Sequence, residues 1–264
     1  MKNELLHLGP FTVYGYGTMI ALGILCGWVV ITRRAKKRGM DLDFLLSFIL
    51  VAAGFGFLGA KLLFWIVNLR IILEDFSFFT ASLLDGFVVI GGLLLGIPMA
   101  YAFCRKRGED FFLWLDLLLP EVAVAQGFGR LGCFLAGCCY GKETAGRFAI
   151  TFHESAFAPN GVPLYPTQLI SSTLDFLNAV ICILFSTRLK KGQVSALYLL
   201  NYSVGRFFLE FLRGDTERGH VGIFSTSQFI CLGLFAAGLF FWMYAREKER
   251  TKGKGHGLEK DGQE

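Results

Sequence analysis

Two arginines stand where an apolar chain would place leucines. Arg130 lies in VAVAQGFGRLGCFLAG and Arg206 in ALYLLNYSVGRFFLEFL, stretches built otherwise from apolar, small and aromatic residues. A guanidinium stays charged at any accessible pH. At the centre of a membrane it costs about 2.5–3.5 kcal/mol on insertion scales. Two such charges call for a polar cavity with an anion in it, and the planar fork suits a carboxylate or a phosphate. From the second stretch into the residue after it, Tyr202, Arg206, Glu210 and Arg213 recur at helical spacing and share one face, which Tyr198 extends. That face reads either as an Arg206–Glu210 pair shielding itself in a packed bundle or as an anion site. The second arginine, on another helix, favours the anion site, because a structural ion pair needs no neighbour.

Thiols are the other reactive group concentrated here. Of the seven cysteines, Cys26, Cys104, Cys182 and Cys231 fall in apolar helical contexts where core packing accounts for them. Cys133, Cys138 and Cys139 cluster just beyond Arg130. Adjacent cysteines rarely bridge each other. In an oxidising compartment the expected disulfide therefore joins Cys133 to either Cys138 or Cys139. The spacing is not CxxC, and His7, His153, His220 and His256 are scattered, so no metal site is expected. His153 stays a weak candidate base.

The elements that position these groups are membrane helices. Hydrophobic residues make up 54% of the 264 and charged ones 18%, against about 25% charged in soluble domains. Segments near 11–32, 43–67, 86–104, 111–136, 168–187, 194–213 and 224–245 reach the ~20 residues needed to cross a ~30 Å core. The expected fold is an all-α polytopic membrane protein with about seven transmembrane helices, a single catalytic domain over 1–245. In the second segment Gly54, Gly56, Gly59 and Ala60 permit close helix contact. Lys61 should snorkel or pair with Asp116 or Glu121. The fourth segment contains Pro120 and ends in glycines, so a broken or re-entrant helix is expected. Trp114 and Trp242 read as interfacial anchors. No cleavable leader is expected, because Glu4 precedes the first apolar run and the basic cluster follows it.

The net charge of +5 is distributed for a membrane rather than for nucleic acid. Arg33, Arg34, Lys36, Lys37 and Arg38 follow the first segment, Arg105, Lys106 and Arg107 the third, and Arg188, Lys190 and Lys191 the fifth. The tail beyond Arg246 is basic as well. The positive-inside rule places the N-terminus outside and the C-terminus in the cytoplasm. The loop 137–167, rich in Gly and Pro, is then external. The polar tail 246–264 should be disordered past its first turn.

The arginine blocks resemble the prolipoprotein diacylglyceryl transferase family. Gly129-Arg130-Leu131-Gly132, followed by Phe134, Gly137 and Tyr140-Gly141, is similar to its signature. In the same order come Tyr16-Gly17, Thr32-Arg33-Arg34-Ala35, Gly91-Gly92 with Leu93 and Gly96, and Asp116 with Pro120 fourteen residues before Arg130. Pro166-Thr167-Gln168-Leu169 resembles the family's loop-to-helix motif, and Tyr202, Arg206, Phe207, Glu210, Phe211 and Arg213 its penultimate helix. The resemblance covers essentially residues 8–245.

What the resemblance implies is transfer of the diacylglyceryl group of phosphatidylglycerol to the lipobox cysteine of a preprolipoprotein in the bacterial plasma membrane. A thioether forms and glycerol phosphate leaves; no cofactor is implied. It assigns catalysis to Arg130, Arg206, Tyr16, Tyr202 and Glu210. It assigns substrate binding to both arginines with Gly91, Gly92, Gly132, Gly137, Gln168 and Arg213. Partners are the phospholipid, the signal peptide with its lipobox and the bilayer, not nucleic acid. Charge grows on the departing phosphate, so fixed arginines would favour the transition state over the ground state. The sequence departs from the family at Ile90, where His or Tyr is expected, at Cys133 and Cys138, and at Ser171, where the loop-to-helix motif carries a carboxylate. Thiol activation then falls either to the field of the arginines, with Tyr16 or Tyr202 orienting the thiol and Glu210 fixing Arg206, or to Cys133 or Cys138. Two rivals are a non-enzymatic transporter or anionic-lipid binder, disfavoured by the lack of internal repeats, and a paralogue acting on another thiol.

Overall fold

The computed structural model describes residues 4–8, 11–83, 85–215 and 219–260. An antiparallel hairpin, β1 (Glu4–Leu8) and β2 (Phe11–Tyr14), leads into α1 (Gly15–Lys37). The helices α2 (Leu42–Val67), α3 (Leu69–Glu74), α4 (Phe76–Ala81), α5 (Val89–Arg107) and α6 (Phe111–Ala136) follow. The strands β3 (Ile150–Thr151) and β4 (Pro163–Leu164) precede α7 (Thr167–Phe185) and α8 (Gln193–Leu209). The strands β5 (His220–Val221) and β6 (Phe224–Ser225) precede α9 (Thr226–Lys260). Among the described residues six helices are long and apolar enough to cross a membrane: α1, α2, α5, α6, α7 and the Thr226–Glu247 part of α9. Large apolar side chains such as Leu50, Phe57, Leu94 and Leu184 stand exposed on them, as a lipid-facing surface requires. The seventh expected segment, 194–213, falls on α8 and its extension. The helix α8 has 17 residues and ends in a 3₁₀ turn, Glu210–Leu212, short of the length that spans alone. The tail expected to be disordered continues α9 as helix to Lys260.

The chain divides into two compact units, Ala35–Trp114 and the combination of Met1–Arg34 with Leu115–Glu264. In the unit Ala35–Trp114, α2 and α5 pack through glycines. A Cβ on Gly59 would lie 2.3 Å from the Gly91 carbonyl oxygen, one on Gly91 2.3 Å from that of Gly59, and one on Gly92 2.8 Å from that of Gly56. Without side chains the two backbones come into direct contact. Lys61 pairs with neither Asp116 nor Glu121. Its ammonium donates to the carbonyls of Ser82, Asp85 (2.6 Å) and Gly86 (3.3 Å), and it lies 4.8 Å from the Phe87 ring centroid. Three carbonyls and an aromatic face satisfy a buried cation without an acid.

In the larger unit α6 is continuous, which corrects the expectation of a broken helix. Its glycines serve close packing instead. Gly23 on α1 leaves room for Phe128, and Gly127 for the Phe176 ring. Pro120 removes one N–H from the helix ladder, and Asp116, one turn earlier, turns its carboxylate to the start of α8. It accepts from the backbone N–H of Gly192 (2.6 Å) and Ser195 (2.7 Å) and from the Ser195 hydroxyl (2.5 Å). A carboxylate from another helix thus caps α8 and meets the positive end of its dipole. Glu121 is held by Arg34 at 2.5 Å. The polar face of α7, with Gln168, Ser171, Ser172, Asp175 and Asn178, is buried, the reverse of a soluble amphipathic helix. The loop between α6 and α7 has its own small core of Phe152, Ala158 and Leu164.

Candidate functional site

Arg130, on the last third of α6, is half-buried and has no hydrogen-bond or ion-pair partner among the described residues. Arg206 closes the last turn of α8. It pairs with Glu210 at 2.6 Å, both side chains 9% exposed, and donates to the Ser227 hydroxyl at 3.3 Å. Glu210 in turn accepts from the Ser225 hydroxyl at 3.0 Å. The shielded ion pair is therefore present, and it leaves the second arginine unmatched.

The two guanidiniums act on common neighbours. Their charges both reach Asp175 on α7 and Tyr202 on α8. Asp175, Tyr202 and Arg206 line one cavity together with Ser171, Asn178 and Asn201. The ring of Tyr202 stacks on Tyr198 with centroids 6.0 Å apart, and Tyr198 donates to Gln126 Oε1 at 2.8 Å. Sequence reasoning missed Asp175. It accepts a hydrogen bond from Ser171, the position that lacks the family carboxylate, so a carboxylate stands one turn further along the same face of α7. An ionisable residue within an apolar segment was the available signal.

Tyr16, near the start of α1, lies within electrostatic reach of Arg130 and of the three clustered cysteines. Gly132 makes this possible, since a Cβ there would sit 3.1 Å from Tyr16 Cδ2 and 3.2 Å from its carbonyl oxygen.

The cysteines converge through the way α6 ends. Gly137 adopts a left-handed conformation (φ 74°). The N–H of Gly137 bonds to Phe134 O at 3.2 Å and that of Cys138 to Cys133 O at 3.1 Å. This is the Schellman termination, which brings the residue after the glycine over the last helical turn, and so sets Cys138 against Cys133. Cys139 follows at φ 58°, uncommon for a residue with a side chain, and the three Sγ atoms lie within 4.8 Å of one another. All seven cysteines are free thiols, so the expected disulfide is not formed. Cys138 Sγ instead donates to the carbonyl oxygen of Cys133 at 3.7 Å. The neighbouring thiols, with Arg213, hold Cys139 below the ordinary thiol range. The same neighbours hold Cys138 above it.

Gln168 and Thr167 fix this turn, Gln168 Nε2 donating to Cys138 O at 2.8 Å and Thr167 Oγ1 to Cys139 O at 2.9 Å. Gln168 Oε1 is buried with no donor among the described residues. Arg213 is buried, forked onto Asp215 (Nε to Oδ1, 2.8 Å) and within electrostatic reach of Cys139. Gly137 admits Ser155, whose hydroxyl oxygen would lie 2.2 Å from a Cβ. Gly91 and Gly92 belong to the helix contact of the other unit. His153 is exposed on the loop.

A family model described as prolipoprotein diacylglyceryl transferase matches residues 3–244. The chain is 43% identical to the phosphatidylglycerol–prolipoprotein diacylglyceryl transferase of Clostridium tetani, over 95% of this chain and all of that protein. It is 40% identical to a second protein of that name from Clostridium perfringens, over 96% and 98%. Identity to the Halalkalibacterium halodurans protein is 30%, over 94% and 88%. A match along nearly the whole length means that the chain belongs to the prolipoprotein diacylglyceryl transferase family.

Proposed function

We propose that the protein transfers the diacylglyceryl group of phosphatidylglycerol to the cysteine thiol of a preprolipoprotein lipobox. A thioether forms and glycerol phosphate departs, the first step of lipoprotein maturation in the bacterial plasma membrane. The observation that carries the reading is the pair Arg130 and Arg206, whose charges meet at Asp175 and Tyr202 although they stand on separate helices. Arg206, already matched by Glu210, orients the phosphodiester. Arg130, without a contact partner, meets the charge that grows on the leaving oxygen as the carbon–oxygen bond breaks. Tyr202 and Tyr16, both within electrostatic reach of Arg130, would supply hydroxyls beside this charge. Gly132 lets Tyr16 approach, and Gly137, Gln168 and Arg213 shape the turn beside it. Gly91 and Gly92 contribute by seating α5 on α2.

In this reading α8 with its 3₁₀ extension is a seventh crossing, the N-terminus is outside, the C-terminus cytoplasmic and the α6–α7 loop external. Support for that orientation is the basic bias of the segments after α1, α5 and α7. The purified protein, incubated with phosphatidylglycerol vesicles and a lipobox peptide, should yield the thioether peptide by mass and glycerol phosphate in equal amount. Lipid binding without either product would overturn the reading.

A further inference from the structure

Three thiols meet at the end of α6 in a way that the transfer of a lipid does not by itself require. The Schellman turn sets Cys138 against Cys133, and Cys139 takes a left-handed backbone conformation that brings a third sulfur to the same point. Such a conformation in a residue with a side chain persists only where its surroundings hold it. Here Thr167 and Gln168 hold it, by bonding the carbonyls of Cys139 and Cys138. Three thiols cannot pair off as disulfides, since any bridge leaves one sulfur over. They do match one face of a tetrahedron. A zinc–sulfur length near 2.3 Å sets neighbouring sulfurs about 3.8 Å apart, within the 4.8 Å that encloses all three Sγ atoms. Among the described residues no histidine or carboxylate completes the group, and none of these three cysteines is fully buried. The fourth direction is open. Arg213, forked onto Asp215, lies within electrostatic reach of Cys139, beside the one negative charge that three thiolates and a divalent cation would together carry.

We propose that Cys133, Cys138 and Cys139 bind a thiophilic divalent cation of the zinc class, and that its open position takes the acceptor cysteine of the prolipoprotein. The second clause rests on the transferase reading. It gives the thiol an activator in a chain that carries Ile90 where the family resemblance leads one to expect His or Tyr. As the acceptor sulfur binds the metal, its proton passes to water. The bound sulfur then bonds to the glyceryl carbon while the carbon–oxygen bond breaks, and that electron pair leaves on the phosphate oxygen facing the arginines. The product thioether carries no charge, is a weak ligand, and departs. Tyr16 lies within electrostatic reach of both the cysteines and Arg130.

The full chain, purified in detergent under reducing conditions without chelator, should contain about one zinc per chain. Cys133→Ser, Cys138→Ser and Cys139→Ser should each lose it, and Cys26→Ser should keep it. Cobalt exchanged into the unaltered chain should give sulfur-to-metal charge-transfer bands, and these should shift on addition of a lipobox peptide but not of its serine counterpart. That readout does not depend on any variant folding. A chain that takes up no metal from added zinc, a disulfide between Cys133 and either neighbour, or a cobalt spectrum indifferent to the cysteine peptide would overturn the proposal. Chelated protein that still forms thioether at full rate would overturn it and leave the transferase reading intact. Metal binding and peptide capture without thioether from phosphatidylglycerol would instead overturn the transferase reading and leave the metal site.

Discussion

Arg130 carries a charge that no described side chain meets at contact distance, whereas Arg206 is matched by Glu210 at 2.6 Å. The two arginines should therefore respond differently to replacement by Lys, which keeps the charge and loses the fork. A charge-assisted hydrogen bond contributes about 1.5–3 kcal/mol. Arg130→Lys is then expected to lower kcat/KM on the order of 10- to 100-fold with folding retained. Arg206→Lys should in addition unfold at lower temperature, because it also disturbs the Glu210–Ser225 contact. Equal and near-normal transfer rates in both variants would refute the shared-phosphate site. Asp175 lies within electrostatic reach of both guanidiniums and would compete with an incoming phosphate. At an effective dielectric near 20 such a carboxylate opposes the anion by about 1–2 kcal/mol. Asp175→Asn should thus bind phosphatidylglycerol headgroup roughly tenfold more tightly, measured by displacement of a labelled lipid; weaker binding would assign Asp175 to contact with the substrate itself. The arginines were legible because a guanidinium in an apolar run demands an explanation. Asp175 obeys the same rule and escaped notice because α7 reads as apolar until its polar face is seen to point inward.

At the scale of elements, the helices lie within a few residues of the hydrophobic segments, since apolar length alone sets them. The errors come from residues that serve two purposes. The glycines of α6 suggested a break, yet they admit neighbouring side chains, as Gly127 admits Phe176 and Gly132 admits Tyr16. The convergence of the thiols depends on a backbone turn, and Gly137 was its one advance sign. Gly137→Ala should cost about 1–2 kcal/mol from the left-handed conformation alone. Contact with Ser155 would add to that. The variant should show a lower unfolding temperature in detergent and faster alkylation of Cys138, the turn being what holds it against Cys133. Unchanged alkylation would mean that Thr167 and Gln168 hold the cluster without it. The cap of α8 offers a second test. Asp116→Ala removes three acceptor contacts at once, and a lost cap costs about 0.5–2 kcal/mol. A larger loss is expected here because the Ser195 hydroxyl and two backbone N–H groups are left buried without an acceptor. Asp116→Asn, which retains an acceptor oxygen, should fall between Ala and the unaltered chain in thermal unfolding.

For the whole molecule, apolar composition made a polytopic helical protein legible, but hydropathy does not say which end faces which compartment. That information lies in the lysines and arginines. Arg33 to Arg38, Arg105 to Arg107, Arg188 to Lys191 and the tail beyond Arg246 fall on one side only if α8 crosses. The 17 residues of α8 alone span about 25 Å, and Glu210–Leu212 adds the remaining length. The polar residues that shorten its apolar run, Tyr202, Arg206 and Glu210, are those proposed for the site, so the element that reads least like a span is the one proposed to bear it. Single cysteines placed at Lys260 and at Asn160, in a chain whose seven native cysteines are all serine, test the arrangement in intact cells. An impermeant maleimide should label Asn160→Cys directly and Lys260→Cys only after permeabilisation. Labelling of both from outside would remove α8 from the membrane, and with it the common depth at which Arg130 and Arg206 are required to meet one phosphate.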